Sequence, residues 1–196
     1  MAISQDFAQK LSEGGGGKYF SLKNDKDFAV VRLMYNSLDE LSQDIYAVHY
    51  TDNGKYECKR KQAVDPISVC PLCAGGNKPK AVVFIKLYNE DSKEVQVWEK
   101  SYTWFNNTLV PVITEMLNDN PGKNIVNCPV KIVRNGAAGD MKTVYNLFVK
   151  PADNTTLDSL PEASDFNFKE YDANAPVPEA NNSSASDNED SLFRGM

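Results

Sequence analysis

His49-Tyr-Thr-Asp-Asn-Gly-Lys-Tyr-Glu-Cys58, followed by Cys70-Pro-Leu-Cys73-Ala-Gly-Gly76, is the stretch on which the reading of this chain turns. It holds the only histidine and three of the four cysteines within 25 residues. Soft and borderline donors at this spacing suit a tetrahedral metal ion, and a C-x-x-C turn delivers two thiolates from one tight loop. Gly75 and Gly76 allow the backbone to reverse after Cys73, because glycine reaches positive φ at little cost. The reading is one structural zinc ion, Zn2+, with His49, Cys58, Cys70 and Cys73 as ligands.

Other chemistries fit parts of the pattern. A C-P-x-C run can be a redox dithiol, but that reading wants a helix to continue after the second cysteine. Here Cys73 leads into Ala-Gly-Gly-Asn-Lys-Pro, which cannot continue one. A disulfide would suit a secreted chain. The first residues instead place Ile3, Phe7 and Leu11 at helical spacing among polar residues, with no apolar run like that of a signal peptide. Cys128, in Val126-Asn-Cys-Pro-Val130, reads as a core thiol that could replace His49 as fourth ligand.

Working outward, strand patterns predominate. Phe28–Tyr35 and Gln43–Tyr50 precede the cysteines, and His49 ends the second of these on one face. Ala81–Tyr88 and Val95–Trp98 follow, joined by the hairpin signal Asn89-Glu-Asp-Ser-Lys93. One helical stripe, Phe105, Leu109, Val112, Ile113, Met116 and Leu117, lies near residues 104–118, with Thr108 as the cap that would make Pro111 acceptable. Two more strands, 125–134 and 143–150, complete the order expected of a mainly β, five-stranded OB-fold barrel with one helix and a zinc loop between its second and third strands. The zinc subdomain spans about residues 49–80 of a core at residues 18–150.

The ends differ from this body. Residues 1–17 form an arm closed by Gly14-Gly-Gly-Gly17, a flexible linker. Residues 1–150 carry 19 lysines and arginines against 17 acids, whereas residues 151–196 carry 2 against 10. The overall charge of −6 therefore comes from the last quarter, which reads as a disordered acidic tail. Phe166, Phe168 and Tyr171 interrupt its acids, and Leu192-Phe193 follow Asp187, Glu189 and Asp190. Acids with a few hydrophobes suit docking on a basic groove or a partner protein.

An OB barrel holds oligonucleotides on a curved sheet, and single-strand binders line it with cations and flat rings. The expected set is Arg32, Tyr46, Lys59, Arg60, Lys61, Lys86, Tyr88, Trp98, Trp104, Lys131, Arg134 and Tyr145. Strand alternation is expected to turn Arg32, Lys86 and Lys131 away from the core. Lys59-Arg60-Lys61 is the densest cationic triplet and lies beside Cys58. Each aromatic residue has the alternative of packing in the core or at the rim.

Together these residues resemble the zinc-containing single-stranded-DNA-binding, or helix-destabilising, proteins of tailed bacteriophages. The resemblance rests on Tyr19-Phe-Ser-Leu-Lys-Asn24, the spaced His49, Cys58, Cys70 and Cys73, Trp98 and the acidic C-terminus. It implies sequence-independent binding of single-stranded DNA in replication, recombination and repair. It also implies a tail that regulates DNA access and recruits replication and recombination proteins through Asp187, Glu189, Asp190, Leu192 and Phe193. The cytoplasm, that of an infected bacterial host for a phage-encoded chain, is the expected location, with no membrane partner.

The arm departs from that family. Lys10 is its single basic residue, where cooperative members carry a Lys/Arg-Ser/Thr motif. Self-association along DNA through residues 3–12 would rest on the Ile3, Phe7 and Leu11 stripe instead. A zinc-ribbon adaptor that binds only protein is the other reading of the cysteine pattern. No nucleotide loop, nucleophile-base pair or clustered acid pair points to an enzyme, and three thiolates disfavour the open coordination position of a zinc hydrolase.

Overall fold

The computed structural model describes residues 18–137, 140, 143–164, 166, 168, 169 and 171. Strands β1 (Lys18–Tyr19) and β2 (Phe28–Leu33) are followed by the short helix α1 (Leu38–Ser42) and the hairpin β3 (Ile45–Thr51) and β4 (Gly54–Glu57). A single helical turn, α2 (Pro71–Ala74), precedes the long strands β5 (Lys80–Asn89) and β6 (Glu94–Ser101). Helices α3 (Tyr102–Trp104) and α4 (Val110–Asp119) then lead to β7 (Val130–Asn135) and β8 (Val144–Val149).

The architecture is mainly β. All eight strands of the described residues belong to one sheet whose path runs β1-β6-β5-β2-β7-β8, with β3 pairing both β4 and β5. Every pairing is antiparallel except that of β1 with β6. The sheet thus has more strands than the five expected. The difference comes from β1, from β4 and from β3, which leaves the main path instead of acting as its second strand.

Strand β5 explains that branching. One of its edges pairs with β6 from Val82 to Asn89. Its other edge is divided: Lys80–Val83 pair with β3, and Leu87–Asn89 pair with β2. A single ten-residue strand therefore joins the main sheet to the β3–β4 hairpin.

The helical region begins earlier than its apolar stripe suggests. Ser101, not Thr108, is the cap, accepting from the Trp104 amide at 3.2 Å. A π-helical turn, Phe105–Leu109, connects α3 to α4. Pro111 has no amide and its ring crowds the carbonyl one turn back, and the widened turn just before it relieves both problems. Phe105, Leu109, Ile113 and Met116 are buried, and they pack on Val31, Leu33, Ile85 and Ile132 of the sheet.

Arg32 does not project into solvent as strand alternation predicts. It is 6% exposed. Its guanidinium bonds Glu90 at 2.5 Å, both carboxylate oxygens of Asp153 at 2.6 and 3.0 Å, and the Val126 carbonyl at 3.1 Å. Asp153 also donates its amide to Asn127 O, and Asn127 Nδ2 donates to Thr155 O. The ordered body therefore extends beyond residue 150, correcting the expected start of the tail. Hydrogen bonds to Arg32 and to the 125–129 turn hold this segment, a force that apolar composition does not report. Residues 1–17 and 172–196, with Ile3, Phe7, Leu11, Asp187, Glu189, Asp190, Leu192 and Phe193, lie outside the described residues.

Hydrogen bonds from Arg32 hold the Asp153 carboxyl down at about 2, against an ordinary value of 3.8. A depressed carboxylate contributes stability at pH values above the ordinary one, and that contribution is lost as pH falls toward the folded value. Asp153→Asn is therefore expected to lower the midpoint of thermal unfolding near neutral pH, with the gap from wild type closing between about pH 4 and pH 2. Calorimetry across that range checks it; a gap that is constant with pH would contradict the pairing.

Candidate metal centre and sheet face

Four side chains converge beneath the β3–β4 hairpin. One ligand atom from each of His49, Cys58, Cys70 and Cys73 lies within 4.8 Å of the others. His49 Nε2 is 3.4 Å from Cys70 Sγ and 3.5 Å from Cys73 Sγ, and Cys58 Sγ is 3.6 Å from Cys73 Sγ. These residues could hold one metal ion. Cys128 is in the main core and outside this group, and all four cysteines are free thiols.

Each ligand is positioned by local backbone. His49 comes from β3, opposite Tyr56 of β4, and is fully buried. The Cys58 amide donates to Ala47 O at 2.7 Å, tying the end of the hairpin beside it. Cys70 caps α2, whose single turn ends as the Gly76 amide donates to Cys73 O and Gly76 takes φ +85°. That is a short knuckle rather than the continuing helix of a redox dithiol.

Asn77 is the part of this centre that sequence reading missed. It is buried, and its Oδ1 lies 3.1 Å from His49 Nδ1 while its Nδ2 donates to Tyr50 O at 3.1 Å. The second bond fixes which end of the amide is oxygen. His49 Nδ1 must then carry the proton it donates, leaving the Nε2 lone pair facing the sulfurs. An asparagine four residues after a C-x-x-C turn is the only sequence signal, and by itself it reads as loop.

The electrostatics differ among these side chains. Burial holds His49 below its ordinary pKa, against the opposing Asn77 hydrogen bonds, so the ring is neutral. Burial pushes the Cys58 thiol up to about 12. Burial acts upward on Cys70 as well, but hydrogen bonds from the amides of Cys73, Lys59 and Leu72 bring it below its ordinary value. Ligation would therefore release the proton of Cys58.

Strand register divides the other expected site residues between two faces. Arg32 is opposite Tyr88, Val30 is opposite Lys131, and Tyr46 is opposite Val82. Because cross-strand partners share a face, Arg32, Tyr46, Lys86, Tyr88 and Lys131 all lie on the outer one. Trp98 is opposite Ile85 and Tyr145 opposite Arg134, which places them on the core side. There Trp98, buried, meets Trp104 and Tyr145 at 4.9 and 5.3 Å, and Lys100 Nζ lies 3.8 Å from the Tyr145 ring.

Several expected cations have internal partners. Arg134 donates to the carbonyls of Gly136, Leu22 and Ala137. Arg60 closes its own loop by donating to Asp65 O and Ala63 O, and Lys61 pairs with Glu57. Lys59 is exposed. Lys86 lies 3.4 Å from Asp44, which also accepts from Tyr35. Lys131 stands 4.1 Å over the Phe28 ring and opposite Phe148, both exposed.

The outer face also carries Phe84 and Tyr50, in phase with Lys86 and Tyr46 and readable from the same alternation. Lys55 joins them from β4, with Nζ 4.6 Å from the Tyr19 ring and paired to Glu99, which also accepts from Tyr50. Phe166 and Phe168 cover this end of the face: Phe166 stacks on Phe84 at 4.0 Å and 15°, and Phe168 meets Tyr46 at 5.0 Å. Lys169 donates its amide to Lys55 O and its Nζ to Asn53 O, and Tyr171 packs on Tyr56 beside the cysteines.

Comparison of the chain with protein-family models, with curated proteins and with solved structures finds no match. Among the described residues no helix is long and apolar enough to cross a membrane.

If Asn77 orients His49, Asn77→Ala should lower metal affinity about 10- to 100-fold. Chelator competition monitored by the cobalt–thiolate absorption measures this directly, and unchanged affinity would remove the role.

Proposed function

We propose that this chain binds single-stranded DNA without sequence preference, on an OB-type sheet whose adjoining hairpin is braced by one structural zinc ion. The observation that carries the reading is the outer face of β5 and its neighbours, where Phe84, Lys86 and Tyr88 share a face with Tyr46 of β3 and Lys131 of β7. Rings supply stacking surfaces of about 1–3 kcal/mol per base, and cations supply the salt-dependent remainder by releasing counterions.

Topology supports the OB element. The path β6-β5-β2-β7-β8, with its helices between β6 and β7, has the strand order and helix position of that barrel. No pairing between β6 and β8 is among those of the described residues; Trp98 and Tyr145 meet across that gap. In OB folds the second and third strands and the loop joining the first two hold the oligonucleotide. On this reading those would correspond to β5, β6 and the insertion that carries Cys58, Cys70 and Cys73, which would then lie one strand earlier than the sequence pattern suggests.

Zinc is the metal that the donor set favours. Three sulfurs and one imidazole are its usual structural ligands, and with Zn–S near 2.3 Å a regular tetrahedron has S–S edges of about 3.8 Å and S–N edges of about 3.6 Å. The Cys58–Cys73 sulfur separation of 3.6 Å and the two sulfur–nitrogen separations of 3.4 and 3.5 Å are close to those, and all four atoms lie within 4.8 Å of one another. A closed site of this kind is architectural, and the proposed activity includes no catalytic step.

The biological setting we propose is phage DNA replication, recombination and repair, in the host cytoplasm. The acidic residues beyond Tyr171 would compete with phosphate and recruit replication and recombination proteins. Exposed Val64, Ile67 and Val69 on the metal-bearing loop favour a protein contact there, as an adaptor would need.

Fluorescence anisotropy of labelled oligo-dT and duplex against salt tests the reading. Wild type should prefer the single strand, and Lys86→Ala with Lys131→Ala should weaken binding and reduce the salt slope by about one per lost phosphate contact. Equal affinity for duplex and single strand would contradict the proposal. Truncation after Tyr171 is expected to tighten binding at low salt, with the gain fading as salt rises.

A further inference from the structure

Phe166 and Phe168 lie on the face proposed for DNA, with Lys169 and Tyr171 beside it, and their contacts are of a different kind from those of an acidic tail. Phe166 stacks on Phe84 at a centroid distance of 4.0 Å and an angle of 15°, the offset-parallel geometry of a base on an aromatic platform. Phe168 stands edge-on to Phe84 at 5.5 Å and tilted against Tyr46 at 5.0 Å. Phe84 is buried, and the partly buried hydrophobics packed on its cluster are Tyr46, Tyr50, Phe166 and Phe168.

A phenylalanine in the middle of a sheet's outer face needs a cover. A compact core would place it on the other side, where Ile85 and Leu87 already lie. Alternation along β5 puts Phe84 in phase with Lys86 and Tyr88 instead. Lys55 Nζ lies 5.8 Å from the Phe84 and Tyr50 rings, and Lys80 Nζ is 5.8 Å from Tyr50. A flat ring flanked by ammonium groups is what a nucleotide requires, with the base on the ring and its phosphate beside a lysine.

We infer that Phe84, with Tyr46 and Tyr50, is a base-stacking subsite for single-stranded nucleic acid, and that Phe166 and Phe168 fill it in the free chain as ring-for-ring substitutes. This rests on the single-strand reading above. The segment is anchored at the β4 edge, where Lys169 bonds Lys55 O and Asn53 O, and at the metal centre, where Tyr171 packs on Tyr56. A strand entering the subsite must displace the two phenylalanines while Tyr171 can keep its place. The competition is apolar. It therefore persists at high salt, unlike competition from the acids beyond residue 171.

Phe166→Leu with Phe168→Leu in the full chain removes the ring stack and keeps apolar cover. The double variant should bind oligo-dT about fivefold or more tighter than wild type, at low and high salt alike. Adding Phe84→Leu should abolish that gain. In the wild-type protein, saturating oligo-dT should speed tryptic cleavage after Lys169, a readout that needs no substitution. Wild-type binding with no gain in the variant, a gain that survives Phe84→Leu, or slower cleavage after Lys169 would overturn the inference and leave the single-strand reading standing. No binding by either protein would overturn both.

Discussion

Strand β5 divides one edge between two partners, and the rest of the molecule depends on that division. Its last residues pair with β2 and so belong to the main sheet; its first residues pair with β3 and so carry the hairpin that holds His49. Backbone hydrogen bonds can be satisfied along the whole edge only if β2 and β3 approach from opposite ends. The short helix α1 makes that possible. Ser37 caps it, Leu41 anchors it in the core, and the chain turns there from one partner to the other. The His/Cys cluster and the face of rings and cations are therefore built on the same strand, the first at its start and the second along its outer side.

In this arrangement a bound metal ion would have a mechanical role. The knuckle at Cys70–Cys73 has little regular structure around it, and its α2 turn is too short to persist alone. Ligation to His49 would fasten it to β3, and through β3 to β5. Asn77 ties the two by bonding both His49 and the Tyr50 carbonyl, so hydrogen bonds already join hairpin and knuckle. Tyr171 then packs on the same cluster, which links the residues over Phe84 to the cysteine module.

Legibility in the sequence followed the range of the forces involved. Local patterns located β2, β3, β5, β6, β7 and β8 and grouped His49, Cys58, Cys70 and Cys73, because alternation and C-x-x-C spacing are properties of adjacent residues. Strands β1 and β4 escaped since two and four residues give no period. The burial of Arg32 escaped for a different reason: an arginine in a strand reads as an exposed cation, and its carboxylate partner Asp153 is 121 residues away. The helix cap was misplaced because Pro111 points to a start just before it, whereas a π turn lets the helix run through.

By itself the sequence determined that the chain is mainly β, that His49, Cys58, Cys70 and Cys73 form one cluster, and that its acidic charge is concentrated after residue 150. Only the tertiary structure decided which of the cations and rings share a face. Arg32, Tyr46, Lys86, Tyr88 and Lys131 came together while Trp98, Trp104 and Tyr145 went to the core side. It alone also placed Phe166 on Phe84. The reason is physical: composition and period describe what a segment can bury, but the register between distant strands sets what it is buried against.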